Sequence, residues 1–493
     1  MHLAEGRAQW FALKFPFVPH PPLYFIVAAG FIKFLGASVL SLRVLAVLLS
    51  LAYIIVIYRI GSELFGEGVG LLAGVVYAVY PVSVYWSRMG MVNHLIVLLS
   101  VCSLYAFHRF LASGRTRDIV FAAFLAGLCP VTGFIGVSAV LAVWYLTYRY
   151  GRKHIPLVAA ATLLPFALFV AYELYVMPSY FIPEVAFQLT RLTVSPERIL
   201  VAVVALFILR RMLPALSVFF NSYRMPVSES PTLGIIVISL YALILFPVSD
   251  GAFYHGFTDY LTFVLIVGFV VKPLFFVDDE RAKTLIVSYF AAAFLMLLVM
   301  NRADHMMMVT YPYLALAGSH FMARAYQSAR GFLAKKSVRH FALAAALLVY
   351  HPVAVGLAQS LGIAFGLTVG VQDVPSVMAV SDYVNGLVGS DGVVIAYSWM
   401  THLIQANVCV VGQSAAYDGH QILYYSGAYP KDRFAFNCSF RNADAVVLIN
   451  GSIEAMRPYD GFSELLSGIS GWERREVSGC GVYLNPDKTF LNR

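Results

Sequence analysis

Apolar blocks long enough to cross a bilayer recur from about Leu40 to about Ile363, and several, such as Thr232 to Val248, Thr284 to Met300 and Phe341 to Ser360, contain no Asp, Glu, Lys or Arg. A helix rises about 1.5 Å per residue, so roughly 20 residues span the hydrocarbon core. Each block is therefore predicted to be a helix. With 60% hydrophobic and 12% charged residues and a mean hydropathy of +0.77, the chain carries more apolar surface than a water-soluble fold can bury. Lipid must cover the remainder.

The formal net charge of +8 would suggest nucleic acid in a soluble chain. Here the basic residues gather between spans, and no nucleic-acid partner is expected. Lys and Arg cluster at Arg115 and Arg117, at Arg149, Arg152 and Lys153, at Arg210, Arg211 and Arg224, at Arg281 and Lys283, and most strongly from Arg324 to Arg339. The gaps around Asn93, Tyr172 to Pro196, Ser249 to Gly256 and Asn301 to His305 are poorer in them, so the positive-inside rule puts these outside.

Spans are expected near 40–58, 69–86, 94–111, 119–133, 134–149, 155–174, 198–216, 232–248, 258–276, 284–300, 306–323 and 341–360. Twelve crossings from an external start leave the C-terminus outside. The pair 119–133 and 134–149 is short and meets at Gly133, so one of the two also reads as a broken or re-entrant element. Residues 1–20 do not form a signal peptide. An external start then means either that Pro22 to Leu35 is an additional, short crossing or that a helix precedes this chain.

From Val374 the pattern changes to that of a small soluble α/β unit. Val393–Tyr397, Val408–Val411 and Ala445–Ile449 read as strands, Met400–Ala406 as a short helix, and Glu473–Val477 with Val482–Leu484 as a hairpin joined through Ser478-Gly479-Cys480-Gly481. Asn437-Cys438-Ser439 and Asn450-Gly451-Ser452 are N-x-S sequons. Cys409, Cys438 and Cys480 allow one disulfide at most, whereas Cys102 and Cys129 sit in apolar spans. The module contains no Gly-rich phosphate loop, Walker sequence or zinc-ligand spacing, and the plain reading is a lid or docking domain without chemistry. The expected architecture is a polytopic α-helical membrane protein of about 12 transmembrane helices, residues 1–364 with an external segment 1–39, and an extracytoplasmic α/β domain over 374–493.

Polar side chains near a bilayer face a cavity or a protein interior, because lipid exposure is costly. Three outward segments hold them: 2–24, 81–94 and 301–313. The first carries Glu5, Arg7, Lys14 and Val18-Pro19-His20-Pro21-Pro22-Leu23-Tyr24. Ser41-Leu42-Arg43, a helix, and Leu64-Phe65-Gly66 follow, and then Tyr80-Pro81 through Ser87-Arg88 to Asn93-His94. Tyr311-Pro312-Tyr313-Leu314 opens a late span. In this order the elements resemble the GT-C membrane glycosyltransferases, specifically the group of protein O-mannosyltransferases and aminoarabinose lipid A transferases, also grouped as glycosyltransferase family 39. The resemblance covers about 2–112 and, less fully, 304–323.

The resemblance implies inverting transfer of a sugar from a polyprenyl-phosphate donor to a lipid, glycan or protein acceptor at the outer face of the cell membrane. Such chemistry needs a carboxylate for the acceptor hydroxyl and cations for the lipid phosphate. By the same resemblance Glu5, Asn93 and His94 are the catalytic candidates. His20, Arg88 and Arg302 are the donor-phosphate candidates, with Lys14, Asp304 and His305 nearby in sequence. Some relatives use a divalent metal ion, for which Glu5, His20 and His305 would be ligands.

The chain departs from the group in two places: its acidic pair reads Ala4-Glu5, and its later acid falls on Asn93. An amide holds a hydroxyl or a metal-bound water but cannot take a proton. Either Glu5 acts alone as base, the N-terminal register is shifted, or the chain is a non-catalytic relative that binds polyprenyl phosphate. A transporter or flippase of lipid-linked material is the reading from another class. Against it, the spans show no internal repeat, and the polar residues lie at span ends rather than at mid-bilayer.

Overall fold

The structure is a computed structural model that describes residues 21–36, 39–79, 81–87, 90–176, 181–183, 185–186, 279–299, 308–320, 323, 361 and, from 374 to 490, all but 398–399, 401–402, 421–430, 432–433, 435, 450–452, 454–459 and 489. By compactness the chain divides into two units, one of 43–169 and 192–369, the other of 1–42, 170–191 and 370–493.

The first unit is a helical bundle. Helix α1 (Leu23–Leu35) belongs to the other unit, and α2 (Val39–Phe65) enters the bundle after its first turn. There follow α3 (Glu67–Ala78), α4 (Pro81–Ser87), α5 (Asn93–Ser113), α6 (Thr116–Leu128), α7 (Val137–Tyr150), α8 (Ile155–Val176), α9 (Glu280–Val299) and α10 (311–320). Among the described residues, three helices are long and apolar enough to cross a membrane: Leu40–Phe65, Asn93–Ser113 and Arg152–Tyr175. The first and last of these have apolar outward faces too, with Leu48, Leu51 and Ile55 on α2 and Leu163, Leu164 and Leu168 on α8 all exposed, as lipid-facing helices require.

The crossing expected at 69–86 is split into α3 and α4. Proline lacks the N–H that continues a helix, and Pro81 here takes the first position of a new one. The short pair becomes α6 and α7, joined through the buried residues Cys129, Pro130, Val131 and Thr132 and a 3-10 turn at Phe134–Gly136. A Cβ on Gly133 would meet Ile96 of α5 at 2.9 Å, and the Cys129 Sγ lies 3.9 Å from the Ile96 carbonyl. The short helices thus reach the first turn of α5. Gly127 permits contact with α8, since a Cβ there would stand 2.5 Å from the Thr162 carbonyl oxygen. The spans expected at 198–216, 232–248, 258–276 and 341–360 lie outside the described residues.

Two buried polar contacts tie the bundle across long sequence separations. Ser100 Oγ and Tyr313 Oη are 2.7 Å apart, joining α5 to α10. The Tyr289 hydroxyl of α9 lies 2.7 Å from Ser103 Oγ, which itself donates to the Ala122 carbonyl of α6 at 2.7 Å. A hydroxyl in an apolar bundle must find a partner, so these pairs fix helix register.

The other unit centres on a five-stranded sheet of order β2-β1-β3-β5-β4, built from β1 (Val393–Ala396), β2 (Asn407–Val410), β3 (Ala445–Ile449), β4 (Glu473–Val477) and β5 (Cys480–Leu484). The first three strands in that order are parallel, β5 runs antiparallel beside β3, and β4 runs antiparallel beside β5. The central strands β1 and β3 are apolar throughout, as burial on both faces demands. Edge strand β4 is charged, with Arg474 on Glu476 at 2.8 Å and Arg475 beside Glu473, which discourages pairing with another chain.

Helix α11 (Val374–Asn385) covers one face; α12 (Val411–Tyr417) and α13 (Asp460–Gly468) cover the other. The hairpin turn has two residues, Ser478 and Gly479, at φ 47° and 77°. Cys480 and Gly481, expected in the turn, belong to β5, because a two-residue turn with both φ positive matches strand twist. Within the helix expected over Met400–Ala406, residues 401–402 lie outside the described residues; the Ile404 N–H donates to the Met400 carbonyl at 3.2 Å, and 404–406 are not helical. Val411 opens α12 instead of ending β2. At the strand ends the Asp444 carboxylate accepts from the Val393 N–H at 2.7 Å, and the Asn485 amide donates to the Ala443 carbonyl at 2.8 Å.

Described residues from 170–186, a stretch expected to be the end of a span and an outer loop, contribute to this core. Phe181 is buried in the cluster with Phe434, Phe440 and Phe462, and Val170 and Val185 pack against it. All five cysteines are thiols in this structure, and Asn437 is exposed with its side-chain oxygen accepting from the Ser439 N–H at 3.0 Å.

Candidate active site

The first turn of α5 lies at the end of that helix away from the basic turn Arg115–Arg117, and it presents Asn93 and His94 side by side. Asn93 is 3% exposed and His94 fully buried. Burial of two polar side chains in an apolar bundle requires partners, and those of His94 are explicit. Its Nε2 lies 2.8 Å from the Trp86 carbonyl at the end of α4. A carbonyl only accepts, so Nε2 carries the proton. Nδ1 faces Ser50 Oγ and Tyr53 Oη of α2, each at 3.4 Å.

Those hydroxyls are chained: Tyr53 donates to Ser50 at 2.9 Å, and Ser50 donates to the Ala46 carbonyl at 2.8 Å. The Tyr53 ring lies parallel to the imidazole, 6.4 Å between centroids, and edge-on to Tyr77 of α3 at 5.2 Å. His94 therefore joins α2, α4 and α5. Its contact with the Trp86 carbonyl ties the end of α4 to the start of α5.

Of the residues expected to form the site, Asn93 and His94 are described, as consecutive residues at the start of α5. Glu5, Lys14, His20, Arg88, Arg302, Asp304 and His305 lie outside the described residues. Ser50 and Tyr53 are additions. Their signal in the sequence was two polar groups three residues apart within an apolar span, which places them on one helix face. Among the described residues, no group of three or more His, Cys, Asp or Glu side chains is placed to hold a metal ion. The metal ligands expected from the resemblance, Glu5, His20 and His305, are not among those residues.

A second polar group was missed. Glu173, near the end of α8, is fully buried, and among the described residues neither carboxylate oxygen has a hydrogen-bond partner. A single acid in the apolar run from Phe166 to Val176 was its signal.

Residues 19–172 match the family model described as dolichyl-phosphate-mannose-protein mannosyltransferase. A crystal structure of ArnT from Cupriavidus metallidurans bound to undecaprenyl phosphate matches 99% of this chain and 92% of its own, with 15% identity and a TM-score of 0.52. Its apo form matches 98% and 90%, with 14% identity and a TM-score of 0.53. The chain has the GT-C fold.

The GT-C match also extends to the oligosaccharyltransferase of Archaeoglobus fulgidus, solved tethered to an acceptor peptide, over 97% of this chain and 69% of that one, at 14% identity and a TM-score of 0.50. No curated protein matches the chain in sequence. The GT-C likeness read from the first hundred residues and the late Tyr-Pro-Tyr helix thus holds at the level of fold. These neighbours are polytopic membrane proteins.

Proposed function

We propose that this chain transfers a sugar from a polyprenyl-phosphate-linked donor to an acceptor at the extracytoplasmic face of the cell membrane. The observation that carries this reading is the coincidence of two likenesses: a mannosyltransferase family match over 19–172 and a GT-C fold match over nearly the whole chain to a protein holding undecaprenyl phosphate. The expected twelve crossings, the extracytoplasmic position of the α/β module and the single-displacement, inverting course are parts of the same proposal.

In this scheme the acceptor hydroxyl gives its proton to Glu5 while its oxygen bonds to the anomeric carbon. The bond from that carbon to the phosphate oxygen breaks, and polyprenyl phosphate leaves as an anion held by Arg88, Arg302 and His20. Cations matter here because charge develops on the leaving phosphate in the transition state. Asn93 orients the acceptor hydroxyl as a hydrogen-bond partner and does not take its proton. His94, with Nε2 on the Trp86 carbonyl, is a positioning residue that sets the stretch carrying Arg88 and Asn93. A divalent ion, if one is used, would draw on Glu5, His20 and His305 and supply charge to the same phosphate.

The test is transfer of labelled sugar from a polyprenyl-phosphate donor by the purified full chain, with and without Glu5→Gln. Loss of a general base lowers turnover by about 10²–10⁴-fold. An unchanged rate removes Glu5 from the mechanism. Absence of transfer by the wild-type chain, with retained binding of polyprenyl phosphate, replaces the enzyme with a carrier-binding relative.

A further inference from the structure

The sheet sorts the three cysteines of the α/β module. Cys409 on β2 and Cys438, just before the 3-10 turn Phe440–Asn442, share the core on the α12 and α13 face, whereas Cys480 at the start of β5 lies in the core on the α11 face. Cys409 is 0% and Cys438 1% exposed, and both belong to the one core cluster that excludes Cys480, with the two thiols near enough to influence each other electrostatically. Strand pairing holds Cys409 opposite Ile395, and the turn in which Asn437 accepts from the Ser439 N–H brackets Cys438. Two thiols buried in the same core on one face of the sheet are the pair a disulfide of about 2.05 Å can join, whereas the sheet itself stands between either of them and Cys480.

We propose that Cys409 and Cys438 are joined by a disulfide in the mature protein, with Cys480 left as a thiol. The proposal rests on the reading of the module as extracytoplasmic, since disulfides persist in oxidising compartments. The oxidant is a disulfide-bearing thiol oxidant. One cysteine thiolate attacks it to form a mixed disulfide, and the second cysteine thiolate displaces the remaining thiol; the cysteine pair gives up two protons and two electrons, and the oxidant leaves as two thiols. Burial, with the Cys438 and Asp418 side chains alongside, pushes the Cys409 thiol well above its ordinary range. Little thiolate therefore exists in the folded core, and the exchange belongs to folding, before α12 and α13 close over the pair.

The experiment counts thiols in the full chain taken from cells under acid quench, denatured and alkylated with N-ethylmaleimide. Of five cysteines, three should label, and prior reduction should raise the count to five. Cys438→Ser should give four labels, because its loss frees Cys409, whereas Cys480→Ser should give two with the bridge intact. Five labels on the wild-type chain, or a cross-link that includes Cys480, overturns the proposal. Labelling of Asp391→Cys on intact cells by a membrane-impermeant maleimide separates the two readings. Five thiols with outside labelling sinks the bridge alone; five thiols without it sinks the bridge and the outward placement together.

Discussion

His94 uses one ring nitrogen to fix the Trp86 carbonyl, so its removal acts on how the end of α4 is held against the start of α5 before it acts on any reacting atom. His94→Leu is expected to lower turnover by about 10–100-fold, the scale of a displacement of about 1 Å in a site. His94→Gln, which keeps an N–H, should recover most of it, and donor KM should rise in the Leu variant as the Arg88 stretch loosens. Equal turnover in both variants would deny the positioning role. Glu173 presents the opposite case: its carboxylate oxygens are buried without partners among the described residues, a costly arrangement unless something else binds there. Glu173→Leu should therefore raise the thermal midpoint of the full chain in detergent. A fall would mean that the carboxylate holds a group that the present contacts do not include.

At the scale of elements, the bundle depends on close approach and on a few hydroxyl pairs. Gly127→Ala puts a methyl against the Thr162 backbone and should cost about 1–3 kcal/mol, read as lowered thermal stability, because backbone cannot step aside as a side chain can. A double-mutant cycle on Ser103→Ala and Tyr289→Phe should give a coupling of about 0.6–1.7 kcal/mol, and one indistinguishable from zero would dismiss the contact as incidental. Hydropathy located α2, α5 and α8 well, since an uncharged run of span length has few other fates. It missed the break at Pro81, because a window averages over a single residue that local geometry obeys. The strands β1 and β3 were legible as continuous apolar runs, whereas the bounds of the hairpin turn depended on which two residues take positive φ.

At the scale of the whole molecule, order along the chain was a poor guide to which segments share a core. Nothing in the hydropathy of 170–191 separates a solvated loop from one that inserts Phe181 among Phe434, Phe440 and Phe462. The site was legible only in part for a related reason. Asn93 and His94 stood out as polar residues at a span end, but the partners of His94, Ser50 and Tyr53, lie some forty residues earlier, and only the tertiary fold brings them to it. Orientation is read at this scale too. A cysteine placed at Arg117 in a chain free of other cysteines should stay unlabelled by impermeant reagent on intact cells, while one at Asp391 is labelled. Reversal of that pair would invert the proposed topology.

The Phe181 contact has a practical consequence for protein production. A shortened gene product beginning at Val374 would keep all five strands yet leave an oily hollow where Val170, Phe181 and Val185 normally sit. Such a fragment should clump on secretion and bind hydrophobic dyes, and grafting 170–191 back through a flexible tether should restore a clear, monodisperse solution.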